Sequence, residues 1–265
     1  MVAAVQVVVD EHLPVALECP LAPLHEREIP EAERGHLLGE RMPHWQVLNA
    51  AVSGYSIDQY YLYLQRIIDE VKPRVIVVGL FAGNDYQLTG REFSWGSSKP
   101  LFAVKDGALV RAGEGGRCIE DLSRSLLFRT LWRDRDLALR MINTLCSPRE
   151  LKRGELDAVI ARLFQEIEAL ARRTQANVIF ELLPTRGDLS LYDGDEYLYT
   201  GKYRDLRRLL QAGQHDVHEP FPAIAAASKQ SSDPVYLPDN GHFTARGHEV
   251  LATDLRDQLV ARGLV

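Results

Sequence analysis

Two apolar runs of strand length, Arg74 to Leu80 (RVIVVGL) and Asn177 to Leu183 (NVIFELL), each follow a long amphipathic helical pattern, and this order narrows the fold more than any other feature of the chain. A run that is apolar nearly throughout buries both its faces, so it belongs inside a sheet covered on both sides. The first helical pattern opens at Ser56 with Gln59 three residues on, a spacing that fits a capping box. Its apolar side is Tyr60, Leu64, Ile67, Ile68 and Val71, and Pro73 closes it. The second carries Leu156, Val159, Ile160, Leu163, Phe164, Ile167 and Leu170 on one face. Upstream, residues 3–9 (AAVQVVV) and Gln46 to Asn49 read as two short strands. Strand, turn, helix and strand from Gln46 to Leu80 predict a parallel pair with a crossover, the unit of an open α/β sheet.

From Tyr86 to about Arg117 the periodicity fails, and Lys105-Asp106-Gly107-Ala108 offers an Asp-Gly turn between two short apolar runs, which predicts a small hairpin. Arg124 to Leu145 reads as mostly helical, and the stretch from Pro184 to Ser232 as irregular apart from a helix around Tyr203 to Ala212. Thr244 can cap a last helix bearing Val250, Leu251, Leu255 and Leu259. The expectation is a single domain over residues 1–265 with an insertion at about 86–150; a chain of 265 residues, 46% apolar, is of the size one α/β core fills.

A net charge of -6, with both signs interspersed, gives no field to gather phosphate backbones, so nucleic acid is not expected as a partner. The apolar start lacks a basic segment and meets Asp10-Glu11 at once, unlike a secretory signal; no later apolar run approaches the roughly 20 residues of a membrane span. The expected compartment is cytoplasmic by default. Cys19, Cys118 and Cys146 are odd in number and far apart, outside disulfide or zinc patterns. His215-Asp216-Val217-His218-Glu219 spaces two histidines like metal ligands, but without a fixed third ligand, so no metal is expected. Tyr192, Tyr197, Tyr199 and Tyr203, near Asp193 and Asp195, read as the cover of a core edge or as a sugar-stacking surface.

Three short segments can carry chemistry. Asp239-Asn240-Gly241-His242 lies in a loop just before the last helix. A carboxylate on one ring nitrogen fixes the tautomer of an imidazole and stabilises the imidazolium that forms when it takes a proton. Gly54, after one strand, offers a backbone N–H that no side chain shields; Asn84, in Gly83-Asn84-Asp85 after the next, offers an amide. Donors already aimed at a developing oxyanion act without reorganisation. In an open α/β sheet both loops lie beyond the carboxyl ends of strands, where ligands gather.

Taken in order, these segments resemble the blocks of the SGNH (GDSL-type) hydrolase superfamily, over roughly residues 33–262. Val47-Leu48-Asn49-Ala50-Ala51-Val52-Ser53-Gly54-Tyr55-Ser56 looks like its second block, Gly83-Asn84-Asp85 like its third, and Asp239-x-x-His242 with Thr244 and Gly247-His248 like its last. Lys99-Pro100-Leu101-Phe102 with Asp106-Gly107 is similar to an insertion of one bacterial branch. The resemblance implies a three-layer α/β/α, flavodoxin-like fold with a mostly parallel sheet of about five strands. It implies an ester hydrolase or related acyltransferase that needs no cofactor, with His242 and Asp239 as catalytic residues and Gly54 and Asn84 as the oxyanion hole. The substrate would be a small-molecule or glycan O-acyl ester, such as an acetylated carbohydrate, or a lipid; oligomeric state stays open.

The sequence departs from the family at its first block. No Gly-Asp-Ser occurs, and the best-placed substitute, Val9-Asp10-Glu11 after the opening strand, puts Glu11 in the serine slot, where no ordinary acyl ester would be stable. Three readings stand: an N-terminal stretch that is not the natural one, a pseudoenzyme that holds a ligand without turning it over, or another nucleophile among Ser53, Ser56 and Cys19. Ser56 is better suited to capping its helix.

Overall fold

The computed structural model describes residues 5–10, 30–52, 54–94, 97–112, 149–190, 201–238 and 241–265, with isolated positions between 134 and 141. Strand β1 (Val5–Asp10) is followed by α1 (Pro30–Arg41), β2 (Trp45–Asn49), α2 (Ile57–Val71), β3 (Val75–Phe81) and a one-turn helix α3 (Asp85–Thr89). Two small antiparallel pairs come next, β4 (Phe93–Ser94) with β5 (Ser97–Ser98) and β6 (Phe102–Lys105) with β7 (Ala108–Arg111). After them run α4 (Arg153–Arg173), β8 (Asn177–Leu183), α5 (Arg186–Ser190), α6 (Gly201–Ala212), β9 (Val217–His218), α7 (Phe221–Gln230) and α8 (Ala245–Ala261).

The central sheet has the order β2-β1-β3-β8-β9. Alternation along its two middle strands divides the core. Ile76, Val78, Leu80, Phe180 and Leu182 face a layer containing Ile68, Leu163, Phe164 and Leu210 from α2, α4 and α6. Val75, Val77 and Ile179 face Leu38, Ala252 and Leu255 from α1 and α8. Helices thus cover both faces, giving the expected three-layer α/β/α fold, and the strand order is the flavodoxin-like one.

The direction of β1 departs from that pattern. Four strands share one direction: β3 and β8 are parallel, as are β8 and β9. β1 runs antiparallel to both of its neighbours, with Gln6 opposite Asn49 and Val77, and Asp10 opposite Trp45. One sequence expectation is corrected: β2 and β3 point the same way but are separated by β1, so they are no hydrogen-bonded pair. The described end of β1, Asp10, lies opposite Trp45 at the start of β2, away from the loops after β2 and β3; Glu11 lies outside the described residues.

Elsewhere the periodic elements form as read. The capping box at Ser56 and Gln59 is present, the apolar side of α2 is buried, and Lys72 ends it in a left-handed conformation. The Asp106-Gly107 turn has φ +52° and +76°, the two positive values that a tight two-residue hairpin needs. Between Pro184 and Ser232 the chain is more regular than its sequence suggests. α7 (FPAIAAASKQ) buries Phe221, Ile224, Ala225 and Ala227 but carries little amphipathic contrast, and the two-residue β9 is placed by its partner β8. Of the stretch 124–145, where the sequence predicts a helix, only isolated positions are described, and all three cysteines and Tyr192, Tyr197 and Tyr199 fall outside the described residues. No helix among the described residues is long and apolar enough to cross a membrane.

Thr244 caps α8, its Oγ1 accepting the Gly247 N–H at 3.1 Å. Gly247 has a packing reason as well: a Cβ there would lie 2.3 Å from the Val235 carbonyl oxygen, which itself accepts the Thr244 N–H at 3.0 Å. Gly247→Ala is expected to destabilise the protein by about 1–3 kcal/mol through this overpacking, read as a lower midpoint in chemical denaturation.

Candidate active site

β2, β3 and β8 end on one rim, at Asn49, Phe81 and Leu183. After β2 the chain turns sharply. Asn49 Oδ1 accepts the Ala51 N–H at 3.2 Å, Tyr55 N–H donates to Val52 C=O at 3.2 Å, and Gly54 takes φ +80°, a conformation that side chains other than glycine rarely adopt. After β3, Ala82-Gly83-Asn84 turns into α3, with Asn84 at its N-cap and its carbonyl accepting the Leu88 N–H at 2.9 Å. The Asn84 Oδ1 is buried and accepts no hydrogen bond among the described residues, so the side chain keeps an open acceptor beside the rim.

His242 lies in the loop before α8. The chain pairs with itself across Tyr236 and Phe243, whose rings stack with centroids 4.6 Å apart, and Leu237 N–H donates to the His242 carbonyl at 2.7 Å. Tyr236 OH donates to Pro184 C=O at 2.9 Å and Arg186 to Pro238 C=O at 2.9 Å. The loop is therefore fastened where β8 ends. Asp239 lies outside the described residues, as does Ser53. Ser56 is fully buried at the N-terminus of α2 and its hydroxyl donates to Asp58 at 2.7 Å, which shuts it off from any substrate.

Behind the rim sits a buried polar cluster that the sequence did not reveal. Tyr60 OH lies 3.1 Å from the Tyr55 carbonyl and 3.3 Å from Asp85 Oδ2, which also accepts the Phe81 N–H at 2.8 Å. Thr89 Oγ1 donates to Asp85 C=O at 2.7 Å and accepts the Ile57 N–H at 3.3 Å. Lys99, from the insertion, is ion-paired with Asp58 in the first turn of α2, both side chains almost fully buried. Burial pushes the Asp58 carboxyl up while Lys99 opposes the rise, and burial pushes Asp85 well above the ordinary carboxylate range. Lys202, at the start of α6, donates to Gly83 C=O at 2.8 Å.

The histidines noted as metal-like diverge: His215 meets Glu168 at 2.6 Å, and His218 meets Asp254 at 3.0 Å. Tyr203 is buried in the core, its hydroxyl donating to Glu219 at 2.7 Å. Two clefts border the rim loops. One, of about 220 Å³, is lined by Tyr55, Gln59, Leu62, Tyr63, Arg66 and Pro100; the other, of about 300 Å³, includes Arg186, Ser228, Tyr236 and Pro238.

No family model and no curated protein matches the chain. Among solved structures it is similar to the acetyl xylan esterase AlAXEase, over 78% of each chain, at 11% identity and a TM-score of 0.40. A second solved structure matches 40% of this chain and 51% of its own at 17% identity, with a TM-score of 0.26. At these values neither similarity carries over an activity.

Proposed function

We propose that this rim is the site of an SGNH-type ester hydrolase acting on an O-acyl ester. The observation that carries the reading is the placement of Gly54, at φ +80°, and Asn84 in the turns after two strands of one direction, with the His242 loop fastened at the end of a third. In this reading the Gly54 N–H and the Asn84 amide hold the ester's carbonyl oxygen as it gains charge. His242 takes a proton from the nucleophile and returns it to the leaving alkoxide, and Asp239 orients the ring. With Ser56 buried in its cap, the nucleophile is Ser53, Cys19 or a water held by His242. An acyltransferase would use the same groups with an alcohol in place of water.

The reversed strand favours a second reading, a binding module that holds an acyl or sugar ligand without turnover. In the family the serine follows the first strand; here the strand between β2 and β3 turns its amino end toward the rim. Hydrolysis of p-nitrophenyl acetate separates the two. Under the hydrolase reading the purified chain turns the ester over, and His242→Ala reduces the rate by about 10²–10⁴-fold. A folded wild-type protein that is silent, or a His242→Ala variant that keeps full rate, sinks that reading.

A further inference from the structure

We propose that Tyr60 is a positioning residue whose hydroxyl ties the turn carrying Gly54 to the turn carrying Asn84, so that the two donors keep one spacing. The proposal rests on the reading of that rim as an oxyanion site. Tyr60 is 2% exposed on the inner side of α2, and its hydroxyl stands between the Tyr55 carbonyl at 3.1 Å and Asp85 Oδ2 at 3.3 Å. Tyr55 directly follows Gly54 and Asp85 directly follows Asn84. The tie is therefore one residue from each proposed donor.

Counting protons specifies the tie further. A phenol has one proton to give, and here it faces two acceptors. If Asp85 were ionised, the phenol proton could serve only one of the two, and the buried Asp85 Oδ1, which has no hydrogen-bond partner among the described residues, would carry charge uncompensated. With Asp85 neutral, its own proton goes to Tyr60 and the Tyr60 proton goes to the Tyr55 carbonyl, forming a continuous chain. Burial favours the neutral acid, and the Asp58 carboxylate reinforces it. Phe81 N–H holds the carboxyl from β3 at 2.8 Å, and Thr89 adds a second strut between Asp85 and Ile57. Lys99 is engaged with Asp58 and lies 3.5 Å from the Thr89 carbonyl oxygen.

Tyr60→Phe removes the hydroxyl and keeps the ring, and amide hydrogen exchange reads its effect. Exchange at Tyr55 and Ser56 should quicken about tenfold, the upper end of what one net hydrogen bond contributes, while Val77 and Leu182 in the core stay unchanged. Unchanged exchange at Tyr55 and Ser56, or a uniform rise that includes the core, overturns the tie. In the wild-type protein the Asp85 carboxyl carbon should resonate as a neutral acid at pH 7; an ionised position there overturns the proton chain, even if the variant fails to fold. Turnover is scored separately. If wild type hydrolyses the ester, Tyr60→Phe should lower kcat about tenfold with KM unchanged, and an equal kcat counts against the tie. A silent wild type with the exchange pattern as expected overturns the hydrolase reading alone.

Discussion

Lys99→Met is expected to lower the stability of the protein by about 3–5 kcal/mol, because it leaves the Asp58 carboxylate buried without its counter-charge. The Lys99 and Asp58 side chains are 3% and 1% exposed, and Asp58 also accepts the Ser56 hydroxyl at 2.7 Å, so neither group can turn to water without opening the first turn of α2. Other ion pairs on the surface provide the contrast. Arg173 and Asp69 are 51% and 62% exposed, and Arg173→Ala should cost less than about 1 kcal/mol. Thermal unfolding of Lys99→Met should show a fall in Tm on the order of 10 °C, and the double variant Lys99→Met/Asp58→Leu should recover most of it. The pH dependence follows from the sign of the shift. Without the ammonium, burial raises the folded-state pKa of Asp58 further above its unfolded value. The stability of the variant is then greatest below the unfolded carboxylate value of about 3.9 and is lost as pH rises through the folded value. A loss under about 1 kcal/mol at neutral pH would mean that the pair is solvated.

That pair also marks where the sequence stops being legible. The elements built on one long period, α2 with β3 and α4 with β8, are visible because amphipathic spacing and an unbroken apolar run need no partner to be recognised. The rim turns are visible for a similar reason, since Gly54 and Asn84 follow strands that are themselves readable. The direction of β1 is not. A short β-branched run such as Val5 to Val9 pairs in either sense, and its place between β2 and β3 depends on register across about 70 residues, not on local pattern. Lys99 and Asp58 lie 41 residues apart and look like ordinary surface charges until the insertion is folded over α2. Asp85 reads as one member of a loop motif, and Tyr60 as one apolar position on a helix; only their approach across 25 residues shows a polar function for both.

If the rim turns over an ester, Asn84→Ala should reduce kcat by about 10²–10³-fold, some 2.7–4 kcal/mol of barrier, with little change in KM. The asymmetry is the diagnostic part. A donor that meets the carbonyl oxygen mainly when it becomes an oxyanion stabilises the transition state more than the bound ester, so its loss falls on kcat. A residue that only shapes the pocket would raise KM instead. Gly54→Val should be at least as damaging for a different reason. At φ +80° a β-branched side chain is strained, so the turn shifts and takes its N–H off the oxyanion position; about 1–2 kcal/mol of stability goes with it. The two losses should not add in full, because the Gly54 and Asn84 turns share the Tyr60–Asp85 tie and serve one oxygen. Steady-state kinetics of both single variants and the double variant with p-nitrophenyl acetate test this. Full additivity would mean that the donors act on separate groups, and unchanged kcat in Asn84→Ala would remove the oxyanion role from this rim.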